Sequence, residues 1–580
     1  LKRLRQSGFA PVPTQQAVRN PVEGTDRQAA RSAGDELLAA STHLARGLVR
    51  ERHGKNRVRR DALDLEQPRD TMRQHARLAR AGACKHEIMS RRRGHGVALG
   101  RIEGVEQVRN VHPRILPVLP CVLLLLGLFG SAARSEAMLR YALDYDAATE
   151  TMHVALCADA APGRRFMLDR GAEIFIAGLE RDHGAIERAP RGLFARDWRD
   201  GECLRYLAAL GRVADRADSE IGLRLGGDLV TAPTQWLLGT DHDGPAEVEI
   251  RLPAGVAFSA PWKPLRGNGT IRYRIPDMPR GWAASIALGR FAQREMALRG
   301  GRLHVALPGV RDATTQAKLF AWIDDVGRAA LSGFGRLPVA DVQVLVLPAG
   351  ARRQAVVFGQ SQRGQGHGLL LLVDVSRPAD EFRDDWTAVH EFAHLFHPYL
   401  GDNGRWLAEG LASYWQNVLR ARAGLLTPAQ AWERLDTGFG RGRADAAGTR
   451  LDRAPHGAFM RIYWSGAAYW LDVDVELRRT SGGTKSLDLA LDRFAACCLP
   501  AKREWTPREF VTKLDALIDA DVFARRYDKA AAATTFPELG ALYAALGIAK
   551  DGRTLRFDDA ASDAAARRAI MAPHQAQKEP

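Results

Sequence analysis

The chain has 580 residues, enough for two to four domains with cores of their own. Its net charge of +15 invites a nucleic-acid reading, but residues 1–137 hold 25 Lys/Arg and 13 Asp/Glu, a net of +12, which leaves only +3 for residues 138–580. The basic balance therefore belongs to the leader, and the near-neutral body gives no ground for a nucleic-acid partner.

Residues 1–110 are rich in Arg, Ala, Gly and Gln, with basic runs at 57–60 and 91–93 that have no apolar partner. They are expected to be disordered or untranslated, with translation starting near Met89 or later. A nucleic-acid-binding arm is the alternative. An apolar run over 115–129 follows, with Arg109 and Arg114 before it and Ser131-Ala132-Ala133 and Ser135-Glu136-Ala137 behind as small-residue cleavage sites. This is the pattern of a signal peptide over 111–137 and predicts export to the periplasm or beyond. The alternative is a membrane anchor over 115–133, although a run containing Pro117 and Pro120 is short for a span. Behind the signal stand Cys157, Cys203, Cys497 and Cys498. An even number in an exported chain allows disulfides, with Cys157 and Cys203 favoured because both lie in one region. No C-x-x-C occurs, which argues against a cysteine zinc site.

From 138 to 310 the pattern is that of a β-rich domain. Residues 152–156, 247–252 and 303–307 alternate, and Arg266-Gly267-Asn268-Gly269 before 270–275 marks a hairpin. A second domain, 311–495, opens with a helix over 313–331 that places Leu319, Trp322, Ile323 and Val326 on one face. Strands are expected at 342–347, 355–358 and 369–375. Gly359-Gln360-Ser361-Gln362-Arg363 misses a serine-hydrolase elbow at its last position. Capping boxes at Thr427–Gln430 and Thr506–Glu509 start two later helices, so the last region, 496–580, is expected to be helical with a disordered tail. Arg441-Gly442-Arg443 reads as a Gly-rich loop, either solvated or holding a substrate carboxylate. There is no Walker A sequence, dinucleotide G-x-G-x-x-G or internal repeat.

The chemistry lies in 386–415. His390 and His394 are four apart, so on a helix they share a face about 6 Å apart along the axis and can converge on one ion. Asp384 and Asp385 stand where a helix start favours acids, and Pro398 is expected to stop that helix after His397. Glu391 is placed as general base beside the metal. Catalytic zinc takes a third protein ligand and keeps one position open. Glu409 fits it: it interrupts the apolar run 406–412, where a bare carboxylate is costly to bury without a cation.

Trp406-Leu407-Ala408-Glu409-Gly410-Leu411-Ala412-Ser413-Tyr414 resembles the W-L-x-E-G-x-A-x-Y segment of the gluzincin peptidases, the class of aminopeptidase N and the glycyl aminopeptidases. Tyr463-Trp464-Ser465-Gly466-Ala467, with the helix and loop through Asp488, is similar to the Y-x-K-G-A segment of the glycyl aminopeptidase family. The resemblance implies that Tyr463 is the phenol that stabilises the oxyanion. It also implies that 138–310 packs beside a thermolysin-like catalytic unit, and that the strand at 369–375 is the edge lining the cleft, to which an extended peptide can add. A buried strand of a mixed sheet is the other reading of 369–375. Three features depart from the pattern. The loop from His394 to Glu409 is shorter than in aminopeptidase N-like enzymes. The amine-binding G-x-M-E-N segment is absent, its place taken by 359–368. Ser465 stands where a lysine is usual.

These readings predict an α+β protein with a β-rich N-terminal domain, a thermolysin-like zinc peptidase domain and a helical C-terminal region. The expected activity is zinc-dependent peptide hydrolysis, aminopeptidase-like, with His390, His394 and Glu409 on zinc and with Glu391 and Tyr463 catalytic. An endopeptidase on the same site, or a non-catalytic peptide-binding module of the same fold, are the alternatives.

Overall fold

The computed structural model describes residues 139–573 apart from 161–163, 190–191, 241–243, 266–270, 446–447 and 553. The leader, the signal or anchor at 111–137 and the 266–269 turn lie outside the described residues. Among the described residues no helix is long and apolar enough to cross a membrane.

The architecture is α+β, with a β-rich N-terminal part and a helical C-terminal part. A seven-stranded sheet comes first among the described residues, in the order Lys263–Leu265, Ile271–Ile275, Ala246–Arg251, Leu139–Asp146, Thr151–Cys157, Cys203–Ala209, Ile176–Arg181. Its first strand alternates buried Leu139, Tyr141 and Leu143 with exposed Arg140, Ala142 and Asp144, so one face meets the core. Strands 263–265 and 271–275 pair antiparallel, as the hairpin pattern predicts. Cys157 and Cys203 lie opposite each other on neighbouring strands and form a disulfide; Cys497 and Cys498 are bridged to each other.

Two four-stranded sheets complete the β-rich part, and a five-stranded sheet begins earlier than the residue 310 boundary suggests. Ala292–Leu298 and Gly301–Leu307 join Asp341–Pro348, Gly368–Val373 and Val356–Gln362, in that order, in one five-stranded mixed sheet. The strand at 303–307 thus belongs to this sheet and not to the β-rich part. Gly368–Val373 lies inside the sheet, and Val356–Gln362 is its terminal strand. The edge role expected of 369–375 is corrected accordingly: a run of Leu and Val suits a position buried on both faces.

The helix Ala313–Leu331 follows the predicted register, its N-cap Asp312 accepting from the Thr315 amide at 2.7 Å. Both capping boxes form, at the starts of Pro428–Ala444 and Pro507–Ile518. Arg441 and Arg443 are corrected from loop to helix. Their guanidinium groups lie over the rings of Trp464 and Phe536 at 5.2 and 5.1 Å. The region after 495 is no appendage, since Phe510, Phe523 and Ile570 share one continuous core with Val344, Phe392 and Trp470.

A buried ionic network ties these helices together. Arg422 of Arg405–Arg422 reaches both oxygens of Asp488 at 3.0 and 2.9 Å, and Arg478 of Phe459–Thr480 bridges Asp488 and Asp474 at 3.0 and 2.9 Å. Burial works against charge on Asp488, but Arg422 and Arg478 outweigh it and hold the carboxyl below the usual carboxylate range. Its contribution is therefore full above the unfolded-state value of about 4 and is lost as pH falls through the lower folded value. Asp488→Asn should lower stability by about 3–5 kcal/mol in urea unfolding at neutral pH, because it leaves guanidinium charge uncompensated. A loss below about 1 kcal/mol would show that the network is not what joins the helices.

Candidate metal centre

The helix Thr387–Ala393, which carries His390 and leads into His394, starts at a sharp break. The short helix Ala379–Asp384 ends just before it, and the Asp385 carboxylate accepts from the Thr387 amide at 2.7 Å. Asp385 thus satisfies the first amide of this helix from just outside it, whereas Asp384 belongs to the preceding one and pairs with Arg434 at 2.7 Å. The α-helix also ends sooner than predicted, giving way to a 3₁₀ turn over His394–Phe396, with His397 extended. The residue before a proline avoids the helical region, so Pro398 acts one residue upstream of itself.

Helix Arg405–Arg422 brings Glu409 to this turn. Glu409 Oε2 lies 3.2 Å from His390 Nε2 and 3.6 Å from His394 Nε2. The three ligand atoms lie within 4.8 Å of one another and could hold a metal ion. Two imidazole nitrogens and a carboxylate oxygen are the donor set of a catalytic zinc site, so the residues fit the ion that the sequence implies. Burial works against charge on Glu409, yet His394 and His390 outweigh it and hold its carboxyl well below the usual range. Burial likewise disfavours a charged His390, but Glu409 and Glu391 outweigh it and raise its pKa.

The ring orientations are set from behind. His390 Nδ1 meets Gln416 Oε1 at 2.8 Å and donates to it, which turns Nε2 toward Glu409, where it shares a proton with the carboxylate until a metal displaces it. His394 Nδ1 lies 3.1 Å from His397 Nε2, while His397 Nδ1 lies 2.7 Å from the Pro398 carbonyl. His397 therefore donates to Pro398 and accepts from His394, which turns His394 Nε2 toward Glu409 as well. The Arg363 guanidinium, arriving from the turn after Val356–Gln362, donates to the carbonyls of His394 and His397. It caps helix-end carbonyls that have no partner within their own helix.

Glu391, 6% exposed, faces the terminal strand, where its Oε2 accepts from the Ser361 amide at 2.9 Å. Gly359 makes this approach possible, since a Cβ there would sit 2.5 Å from Glu391 Cγ. Segment 359–368 is thus half strand and half turn.

Tyr463 lies within the first turns of Phe459–Thr480, its ring stacked on His390 with centroids 5.7 Å apart. Burial, then the charges of Glu409 and Glu391, push its phenol well above the ordinary value, while Arg405 opposes them. Two glycines set its place. A Cβ on Gly410 would sit 2.4 Å from the Gly466 backbone, so helices 405–422 and 459–480 touch main chain to main chain beside Glu409 and one turn from Tyr463. Ser465 is buried, and its hydroxyl makes no hydrogen bond.

The arrangement thus brings together His390, His394, Glu409, Glu391 and Tyr463. Gln416, His397 and Arg363 are additions that the sequence reading did not single out. Spacing hints at two of them: Gln416 is two turns after Glu409, and His397 is three residues after His394.

No protein-family model matches the chain, and no curated protein is detectably similar to it in sequence. Among solved structures, an aminopeptidase N family protein from Idiomarina loihiensis is similar, with a TM-score of 0.55 and 14% identity over 71% of this chain and 78% of that one. Weaker likenesses are to a two-domain M1 zinc metallopeptidase bound to L-arginine, with a TM-score of 0.45 and 16% identity over 70% of this chain and 94% of that one. A yeast LTA4 hydrolase in complex with bestatin follows, with a TM-score of 0.43 and 12% identity over 66% of this chain and 65% of that one. The fold is of the aminopeptidase N type.

Proposed function

We propose that the chain is an exported zinc metallopeptidase of aminopeptidase-like type, with a thermolysin-like catalytic unit in which His390, His394 and Glu409 hold the ion. The observation that carries this reading is the convergence of three buried ligand atoms beside Glu391, which a purely structural metal site does not need. When bound, zinc supplies a Lewis acid that polarises the peptide carbonyl and acidifies water.

The chain's own residues supply the rest. Glu391 accepts the proton of the attacking water and passes it to the leaving amine. Its bond to the Ser361 amide fixes one oxygen and leaves the other for this exchange. The Tyr463 phenol, kept protonated by its raised pKa, donates to the oxyanion as charge develops. Val356–Gln362, as terminal strand beside Glu391, offers main-chain hydrogen bonds to an extended peptide. The Cys157–Cys203 disulfide agrees with an oxidising compartment.

An endopeptidase is the second reading, favoured by one feature: segment 359–368, next to Glu391, carries no carboxylate to receive a substrate's free amine. Zinc analysis of the purified protein together with a panel of free and N-blocked peptides tests both. The expected result is about one zinc per chain and peptide cleavage. Faster cleavage of free peptides supports the aminopeptidase, and equal or faster cleavage of blocked ones supports the endopeptidase. Binding without cleavage would leave a peptide-binding module.

A further inference from the structure

Arg405 opens the helix that carries Glu409 and stands four residues before it, on the same face one turn away. Its Nη1 lies 2.5 Å from His456 Nδ1, in the loop leading into the helix of Tyr463. The Arg405 Nε is buried and makes no hydrogen bond. Among the described residues no ion pair joins Arg405 to a carboxylate. Arg422 and Arg478, on the same two helices, each hold an acid.

A guanidinium without a counter-charge is unfavourable one turn from a site built for a dication, because like charges repel more strongly where water is partly excluded. The strain is relieved if the anion arrives with the ligand. Arg405 is suited to that partner, since a guanidinium fork matches the two oxygens of a carboxylate. His456 fills one arm of the fork and holds its plane. One helical turn is about 5.4 Å, and an extended peptide advances about 3.3 Å per residue. The reach therefore corresponds to about two residues of substrate.

We propose that Arg405, held in place by His456, binds a substrate carboxylate within about two residues of the bond to be cut. The inference rests on the metallopeptidase reading and specifies its substrate class: peptides with an acid close to the scissile bond. Two sources share this chemistry, the free carboxylate at the end of a short peptide and the side chain of Asp or Glu.

The test uses matched short peptides differing only in a terminal carboxylate against a terminal amide, or in Glu against Gln at each position flanking the cut. Their binding to the full, zinc-loaded Glu391→Gln protein is measured by calorimetry, and their cleavage by the parent protein is followed in parallel. In one of the two pairs the acid form should bind roughly tenfold to a hundredfold tighter, the scale of a charge-assisted hydrogen-bonded pair. That pair identifies the source. Adding Arg405→Gln should bring the ratio to about one, and Arg405→Lys should retain part of it, a point charge replacing the fork. Because each ratio is internal to one variant, a general loss of affinity cancels. If Arg405→Gln does not fold, by circular dichroism, the His456→Gln variant is read instead and should also lower the ratio. Equal binding of acid and amide by the parent site, or a ratio that survives both variants, overturns the proposal. Acid preference without cleavage by the parent would instead overturn the peptidase reading and leave the carboxylate site standing.

Discussion

Glu391→Gln should lower peptide hydrolysis by about 10²–10⁴-fold while leaving the zinc content unchanged. The amide has nearly the volume of the carboxylate and can still accept from the Ser361 amide through its oxygen, so the contact with Val356–Gln362 survives. It cannot take up the proton of the attacking water. Glu391 contributes no ligand to the His390, His394 and Glu409 cluster, which is why metal and activity should separate in this variant. Activity near the parent level would falsify the general-base assignment. Loss of zinc along with activity would mean that Glu391 acts on the metal and not on water.

Glu409→Ala should lose most of the zinc, measured by elemental analysis after dialysis against a weak chelator. The variant keeps two imidazoles, fewer than the three protein ligands typical of catalytic zinc. It also removes the charge that offsets the ion in a buried site. The proton on His390 gives a second measurable effect. Its raised pKa means that zinc must displace a proton shared with Glu409, so zinc affinity in the parent should rise with pH through the titration of His390. In Glu409→Ala the side-chain bond and the charge of Glu409 no longer hold that proton, and the pH dependence should move to lower pH. Undiminished zinc in the variant would remove Glu409 from the site.

The His390, His394 and Glu409 cluster, which could hold a metal ion, was legible in sequence because two of its members are tied by local geometry: four residues along a helical stretch is a fixed distance. Glu409 was readable because a carboxylate in an apolar run needs a cation. The second half of the terminal strand was not readable in this way, whereas its first half falls in the strand expected at 355–358. Gly359, Gln360, Ser361 and Gln362 have weak strand preference, and they form a strand because Gly359 lets Glu391 press against it, a contact visible only in three dimensions. The helix through Arg441 and Arg443 was hidden for a related reason. Gly438 and Gly442 suggest a loop, yet a Cβ at these positions would sit 2.2 Å from Trp464 Cζ3 and 2.7 Å from Phe536 Cε2, so both glycines are there for packing. Gln416, His397 and Arg363 act through hydrogen bonds across elements, which no periodicity records.

The turn that carries Arg363 is anchored at its far side. The Gly364 amide donates to the Ala283 carbonyl at 2.8 Å, the Trp262 indole donates to Gln365 Oε1 at 3.1 Å, and a Cβ on Gly366 would overlap the Pro261 carbonyl. All three partners precede Ala292, in the β-rich part. The residue that closes the end of the ligand helix is therefore held by segments outside the sheet it extends. A chain cut just before Ala292 would keep His390, His394, Glu409, Glu391 and Tyr463, yet lose the scaffold for the Arg363 cap. The seam between the two parts is a boundary in topology and not in manufacture: neither recombination nor engineering can exchange the β-rich part without also supplying a new support for the turn at 363–367.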